Sequence, residues 1–302
     1  MTTRLWTGLA GDLNVYTPGN WTPAGAPATG DILVQNAGVS EVPNGNLNSN
    51  PLFLSTPVSG TTPVTPAITN IGDGATVSVV VGPSAGDLTT SHAASITASG
   101  TAGLNLVSGP TQATNSTAVG LASGAVLTAN IFLSGNNILN IGGDTTTALG
   151  SSQVNVGNGT IARIDTHTLG TDKYTVGFLG SVQINRAADA GASVSLLANS
   201  GASLTLTDPL EFSGTVNFFN AAASGTTTTT PSVIGLVGVP ADSYAFANNE
   251  LTLYSAGQVT DTLNFLGTPG GFGVFKGASG VVVTSSNLGS TPPGLTALPL
   301  HP

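Results

Sequence analysis

Short runs of alternating apolar and polar residues recur along this chain, and Gly, Asn, Ser or Asp residues separate them. Alternation with a period of two is typical of a half-buried β-strand, whereas the apolar face of a helix repeats every three to four residues. Helices are disfavoured because Gly, Thr, Val, Ser and Asn have low helix propensity. The runs predict an all-β protein with strands at Ala75–Val81, Leu104–Val107, Val126–Leu133, Ile138–Ile141, Val154–Val156, Thr160–Ile164, Val182–Ile184, Val194–Leu197, Leu204–Leu206 and Val216–Phe219.

A loose internal repeat begins several of these runs. Gly74-Ala-Thr-Val-Ser-Val79 recurs as Gly191-Ala-Ser-Val-Ser-Leu196 and as Gly201-Ala-Ser-Leu-Thr-Leu206, and Gly124-Ala-Val-Leu-Thr128 is a weaker copy. Such units bury their apolar faces by stacking on one another, which produces a solenoid. The predicted fold is a right-handed β-solenoid (β-helix) with a small C-terminal β unit. A β-sandwich or jelly roll with similar short strands is the alternative.

Interruptions of the repeat set the predicted domain boundaries. Pro and Asn are frequent over residues 36–70, Thr226–Thr230 is a run of Thr, and the end of the chain is rich in Pro. A hairpin is expected over Glu250–Phe265, with its turn at Ser255–Gly257. The predicted segments are an N-terminal cap with the first strands (1–35), a Pro- and Asn-rich arm or loop (36–70), the solenoid repeats (71–221), a Thr-rich linker (222–231), the C-terminal β unit (232–288) and an extended tail (289–302).

Charged side chains are scarce. The 302 residues include five Lys and Arg and 14 Asp and Glu, and apolar residues make up 40% of the chain. Such a chain can bury a sizeable core, unlike the polar, highly charged chains that stay disordered. The basic residues are scattered, so no basic patch is expected for a phosphate backbone or an anionic membrane. They are Arg4, Arg163, Lys173, Arg186 and Lys276. We therefore expect no nucleic-acid partner.

The composition also bears on location. The absence of Cys excludes disulfides, thiol catalysis and Cys-ligated metal sites. No run approaches the roughly 20 apolar residues of a transmembrane helix, so no membrane insertion is expected. The first residues lack the basic region and apolar run of a secretory signal. With Lys so scarce, these features favour an extracellular or cell-surface protein, exported without a signal peptide or after removal of a leader. A virion is the alternative location.

Two segments carry a family resemblance. The opening is similar to the start of many bacterial autotransporter-like passenger domains and of some phage structural proteins, through Trp6-Thr-Gly, Asn20-Trp21 and Gly25-Ala-Pro27-Ala-Thr-Gly30-Asp31. Near the C-terminus, Ala241-Asp-Ser-Tyr244 and Leu251-Thr-Leu-Tyr254 resemble the ends of repetitive secreted adhesins. The composition resembles that of bacterial surface-layer proteins. The resemblance implies a bacterial surface β-helix whose open end is capped by Trp6 and Trp21.

Motifs for catalysis or metal binding are weak. Gly82-Pro-Ser84-Ala-Gly86 has the pattern of a nucleophile elbow, but no helix is predicted after it, so a strand and turn are expected instead. His92, His167 and His301 lack the spacing of a zinc site. Gly142-Gly-Asp144 and Asn44–Asn50 offer oxygen ligands, which leaves a structural calcium ion as the one cofactor still open.

The sequence predicts a non-enzymatic bacterial structural protein that self-assembles into a filament, surface layer or biofilm matrix, with an adhesive role left open. Its partners would be further copies of itself and, for adhesion, a cell-surface glycan. The alternatives are a phage fibre or capsid decoration protein, and a polysaccharide-binding or polysaccharide-cleaving β-helix. The expected assembly or capping contacts, for which ordinary core packing is the competing interpretation, are Trp6, Trp21, Leu251, Leu253, Tyr254 and Phe265.

Overall fold

The computed structural model describes residues 2–7, 9–10, 17–26, 32–35, 52–54, 56–58, 67–71, 73–74, 76–81, 91–108, 115–219, 230–267, 272–285 and 294–302. The described part of the chain is nearly all β, and parallel stacked coils form a β-solenoid of about 5 turns. The predicted β-solenoid is therefore confirmed, and the sandwich alternative is wrong. The chain divides into two compact units, Met1–Val154 and Asn155–Pro302.

The first unit contains two sheets in which most neighbouring strands are parallel. One sheet has the order β2-β1-β3-β6-β8-β10-β12, and the other has the order β4-β7-β9-β11 with β13 beside β11. The pairs β1–β2 and β5–β8 are antiparallel. The strands are β1 (Thr3–Trp6), β2 (Trp21–Thr22), β3 (Ile32–Gln35), β4 (Leu52–Leu54), β5 (Thr56–Val58), β6 (Ala67–Ile71), β7 (Thr76–Val81), β8 (Ser91–Ala98), β9 (Thr101–Ser108), β10 (Asn115–Leu121), β11 (Val126–Ser134), β12 (Asn137–Gly142) and β13 (Ala148–Gly150), and a 3₁₀ turn, Pro18–Asn20, precedes β2.

The second unit begins with parallel ladders and ends with antiparallel ones. One sheet has the order β15-β18-β20-β22-β27-β26-β28, and the other runs β17-β19-β21-β25-β24-β23. The strands are β14 (Gln153–Gly157, which spans the unit boundary), β15 (Ile161–Asp165), β16 (His167–Leu169), β17 (Lys173–Val176), β18 (Ser181–Ile184), β19 (Ser193–Leu197), β20 (Ser203–Leu206), β21 (Thr215–Phe219), β22 (Val233–Val237), β23 (Ser243–Ala247), β24 (Glu250–Ser255), β25 (Gln258–Phe265), β26 (Gly273–Gly277), β27 (Gly280–Thr284) and β28 (Thr296–Ala297), with a 3₁₀ turn at Pro209–Glu211.

Buried side chains form columns because equivalent strands stack in register. In the second unit Val182, Leu204 and Ile234 are paired from coil to coil, and all three are fully buried. On the outward positions beside them, the hydroxyls of Ser181 and Ser203 form a hydrogen bond of 2.9 Å. Each coil thus buries alternate apolar residues against its neighbours and keeps small polar residues outside, as the sequence pattern predicts.

The glycines of the internal repeat have two structural roles. Gly124 and Gly201 adopt positive φ values of 73° and 71°, which residues other than Gly rarely adopt. Gly191 is needed for close packing instead, since a Cβ there would lie 2.1 Å from the carbonyl oxygen of Gly170 on the neighbouring coil. The Ala residues that follow Gly124 and Gly191 are buried. The repeat therefore encodes a turn followed by an inward-facing small residue.

The predicted segments can be compared with the strands only in part. The hairpin expected over Glu250–Phe265 is confirmed by the antiparallel pair β24–β25. Strands β4 and β5 and most of β6 lie within the expected arm or loop at 36–70. Most of the expected linker at 222–231 lies outside the described residues. The domain boundaries stay predictions.

Candidate assembly edge at the C-terminal end

Two hairpin turns place β23 at the outer edge of its sheet. Asn248 and Asn249 have φ values of 53° and 63° between β23 and β24, and Ala256 and Gly257 have values of 51° and 77° between β24 and β25. Positive φ at both central residues is the signature of a type I′ turn, whose twist suits a two-residue hairpin. Strand β23 consequently has β24 as its one neighbour in the strand order of the described sheet.

The C-terminal tail, residues 294–302, covers the outer edge of the other sheet. Its strand β28 is antiparallel to β26, and Thr296 lies opposite Lys276. One residue pair further along, the N–H of Leu298 donates a hydrogen bond of 3.0 Å to the carbonyl oxygen of Val274. The tail therefore adds a short strand to the sheet of its own chain.

The same tail then reaches the edge of β23. The N–H of Tyr244 donates to the carbonyl oxygen of Pro299 at 3.0 Å, and the N–H of His301 donates to the carbonyl oxygen of Tyr244 at 2.6 Å. Leu300 forms a parallel bridge with Tyr244 between these two bonds. A single extended segment thus pairs with β26 of one sheet and with Tyr244 of β23 in the other. We name its receptor, formed by Tyr244, Tyr254 and Val274–Gly277, the tail slot.

The side chain of His301 fixes the end of the tail in the slot. Its ring stacks on Tyr254 with centroids 3.8 Å apart and planes 6° from parallel. Its Nδ1 lies 3.2 Å from the Oγ of Ser243. Half-buried Leu295 anchors the other end of the tail, since its Cδ2 lies 3.1 Å from the position of a Cβ at Gly277.

The carboxylate of Asp242 lies beside Ser243 and His301, but the three side chains do not form a catalytic triad. Asp242 accepts hydrogen bonds from the Ser243 hydroxyl at 2.9 Å and from the Ala256 N–H at 2.7 Å. The Ala256 and Ser243 hydrogen bonds hold the pKa of Asp242 below its usual range, and the charges of Lys276 and His301 act in the same direction. In a triad the carboxylate orients the histidine, whereas this one bonds to the serine. The arrangement orders a turn beside the tail.

Aromatic rings cluster behind the same edge. Phe246 of β23 lies 4.9 Å from Phe272 and 5.7 Å from Phe265, measured between ring centroids. Tyr244 lies 6.2 Å from Phe272, edge to face. Phe246, Phe272 and Tyr244 are half-buried. Apolar aromatic surface therefore lies next to strand edges at this end of the second unit.

The residues predicted as assembly or capping contacts lie in two places. Trp21 in β2 is buried, and Trp6 in β1 is its register partner. Leu251, Leu253 and Phe265 are buried within the C-terminal strands, whereas Tyr254 is half-buried and contacts the tail. The buried side chains have no surface left for a second copy, although burial agrees with a capping role. Tyr244 and the tail residues around His301 carry the edge contacts, and the sequence analysis missed these roles.

A second concave feature lies between the 3₁₀ turn Pro209–Glu211 and β25. This groove of about 390 Å³ is lined by Leu210, Val259 and Asp261, among others. Asp261 is buried, and desolvation raises its pKa despite the hydrogen bond that its Oδ1 accepts from the Thr262 N–H at 2.7 Å. A lone carboxyl in a shallow groove is not a glycosidase pair, so the groove indicates no reaction by itself.

Within the described residues, the remaining sequence motifs form no catalytic or metal centre. Among the described residues, no group of three or more His, Asp or Glu side chains could hold a metal ion. Asp144 accepts hydrogen bonds from both the N–H and the hydroxyl of Thr146 within a turn. Half-buried His167 lies in β16, and His92 lies in β8. Ser84 and Asn44–Asn50 lie outside the described residues. The calcium expectation stays a prediction.

Comparisons with known proteins identify no relative of this chain. No protein-family model, no curated protein and no solved structure matches this chain. Within the part of the chain that the structure describes, no helix has the length and apolar character needed to cross a membrane. The chain is thus a repetitive β-helix protein, and the resemblance to autotransporter passengers and adhesins stays a prediction.

Proposed function

We propose that this chain is a non-enzymatic structural protein of the bacterial cell surface or extracellular matrix, and that copies of it assemble edge to edge into a filament or layer. The observation that carries the proposal is the edge of β23. Backbone groups alternate in direction along a strand, so the N–H and C=O of Phe246 point outward like those of Tyr244. The tail bonds to Tyr244, and no described residue bonds to these groups of Phe246.

The residues around this edge support association. Natural proteins block exposed edges with Lys, other charges, Pro or bulges, because an open edge pairs with other chains. The sequence from Ser243 to Asn249 contains no charged residue and no Pro. The half-buried rings of Phe246 and Phe272 add apolar area beside these backbone groups of Phe246. Backbone pairing and apolar burial would therefore act together in a contact between copies.

The composition supports the location. A chain without Cys, with five Lys and Arg residues, resembles surface-layer proteins in composition.

Electron microscopy and light scattering of the purified chain near neutral pH, with and without calcium, test the proposal. We expect regular filaments or sheets. Ala247→Lys places a charge at the exposed end of β23 and should suppress assembly, whereas Ala190→Lys makes the same charge change in an exposed turn and should not. A monodisperse monomer or a closed trimer of the unaltered chain would contradict the proposal.

A further inference from the structure

We propose that the tail slot of one copy receives the tail of a second copy, so that neighbouring copies are joined by exchanged tails. This inference rests on the proposed self-assembly and names its joint. The partner is a second copy of this chain, because the slot binds residues 294–302 of its own chain and every copy carries the same tail. Exchange of an identical element replaces each contact within a chain by the same contact between chains, so it costs little free energy.

The tail slot binds this peptide mainly through its backbone. It needs a residue opposite Lys276, an N–H for the Val274 carbonyl and a ring to stack on Tyr254. Thr296, Leu298 and His301 supply these in order along the tail. A short strand that uses backbone bonds for affinity and a few side chains for register is the usual form of strand addition.

The tail also prevents any simpler joint along the edges that it covers. Pro299 and Pro302 lack the N–H that a ladder requires, so a further strand cannot extend regularly over the tail. A second copy can therefore extend the sheets across the slot only where the tail has left it. The segment that then fits the vacated edge best is another copy of the tail.

The tail is held loosely enough to leave. Thr296, Ala297 and Pro299 are exposed, and the Leu300 side chain is 68% exposed. Leu295, Leu298 and His301 are only half-buried. Segments with few buried apolar contacts open at a small fraction of the global unfolding free energy.

Because the chain contains no Cys, disulfide trapping tests the exchange directly. Lys276 and Thr296 are exposed and lie opposite each other. Paired residues of antiparallel strands have Cα atoms about 5 Å apart, which is within the range of a disulfide. One preparation carries Lys276→Cys and the other carries Thr296→Cys, and the two folded chains are mixed under mild oxidation. Exchange predicts that the dominant covalent product is a heterodimer in which a disulfide joins position 276 of one chain to position 296 of the other.

The matched control replaces Thr296→Cys by Ala297→Cys, which is equally exposed but points to the opposite face of the strand. This mixture should give several-fold less heterodimer. A chain carrying both Lys276→Cys and Thr296→Cys should close an internal disulfide when dilute, and failure to do so would overturn the slot itself. Internal closure without heterodimer above the control would overturn the exchange. If the exchange fails this test but the unaltered chain forms filaments, the proposed self-assembly is retained without tail exchange. If the unaltered chain forms no filaments, both the self-assembly and the tail exchange are wrong.

Discussion

The coils and the C-terminal tail are both held by backbone pairing, but only the coils stack buried side chains. Leu204 in β20 is fully buried in register with Val182 and Ile234, whereas Leu300 in the tail is 68% exposed. Buried apolar area is the main favourable term in folding. The two regions differ in buried side-chain area, so we expect the tail to open without the coils, and the proposed assembly would use both properties.

The largest expected loss of unfolding free energy follows a substitution in the buried columns of the coils. Leu204→Ala removes buried methyl groups from a column that cannot collapse easily, so it should cost about 2–5 kcal/mol of unfolding free energy. The matched control is Leu210→Ala, whose side chain is 73% exposed and which should stay within about 0.5 kcal/mol. Denaturant midpoints followed by circular dichroism measure both. Equal effects of the two substitutions would contradict the assignment of the core.

A smaller loss of unfolding free energy is expected where the backbones of neighbouring coils are in close contact. Gly191→Ala places a Cβ 2.1 Å from the Gly170 carbonyl oxygen, so the coils must separate locally. The overpacking should cost about 1–3 kcal/mol. Gly120→Ala is the control, since the nearest atom would lie 3.9 Å away. Thermal unfolding of the pair should show a lower midpoint for the first variant only, and a neutral Gly191→Ala would show that the coils are not closely stacked there.

The buried carboxyl of Asp261 should make stability depend on pH. Desolvation raises its pKa in the folded chain, so the folded state binds the proton more tightly than the unfolded state. The cost of the buried charge is present above the raised pKa and disappears as pH falls through it toward the ordinary carboxyl pKa. Asp261→Asn should raise the unfolding midpoint at neutral pH, and this gain should shrink in acid. Exposed Asp208→Asn is the control, and a gain independent of pH would contradict the mechanism.

The smallest effect on global stability is expected at the tail. His301→Ala removes the stack on Tyr254 and the contact with Ser243 but keeps the backbone bond to Tyr244. We expect a loss below about 1 kcal/mol in global unfolding but faster chymotrypsin cleavage after Leu295. Leu300→Ala should leave the cleavage rate unchanged because that side chain is exposed. An unchanged rate in His301→Ala would show that the ring does not hold the tail.

The sequence predicts the coils well because their rule is local. Each of the predicted alternating runs overlaps a strand, since an apolar residue at every second position is enough to identify an inward face. Strands β8 and β10 escaped prediction because their buried positions include Ala94, Ala98 and Thr117, which are small or polar. The Gly-Ala repeat signals the turns because φ and close packing restrict those positions directly.

The pairing of the C-terminal tail with β26 and β23 could not be predicted in the same way. The pattern Leu295, Leu298, Leu300 with Pro299 indicates an extended segment, but it does not say which strand the segment meets. Covering β26 and β23 together depends on contacts remote in sequence, such as Tyr244 with His301. The stack of His301 on Tyr254 likewise joins residues that are far apart in sequence. Of the predicted contact residues, Trp21, Leu251, Leu253 and Phe265 are buried, whereas half-buried Tyr254 contacts the tail.

Amide hydrogen exchange of the unassembled chain, followed by mass spectrometry, tests the central claim most directly. The account predicts that peptides from β18 and β20 exchange only through global unfolding, whereas those from residues 294–302 exchange much faster through local opening. The backbone bonds of Leu298 and His301 make the tail a fair comparison, since both regions are hydrogen-bonded. Tail peptides that exchange as slowly as the coils would show that the tail does not open separately from the coils. That result would contradict the proposed tail exchange.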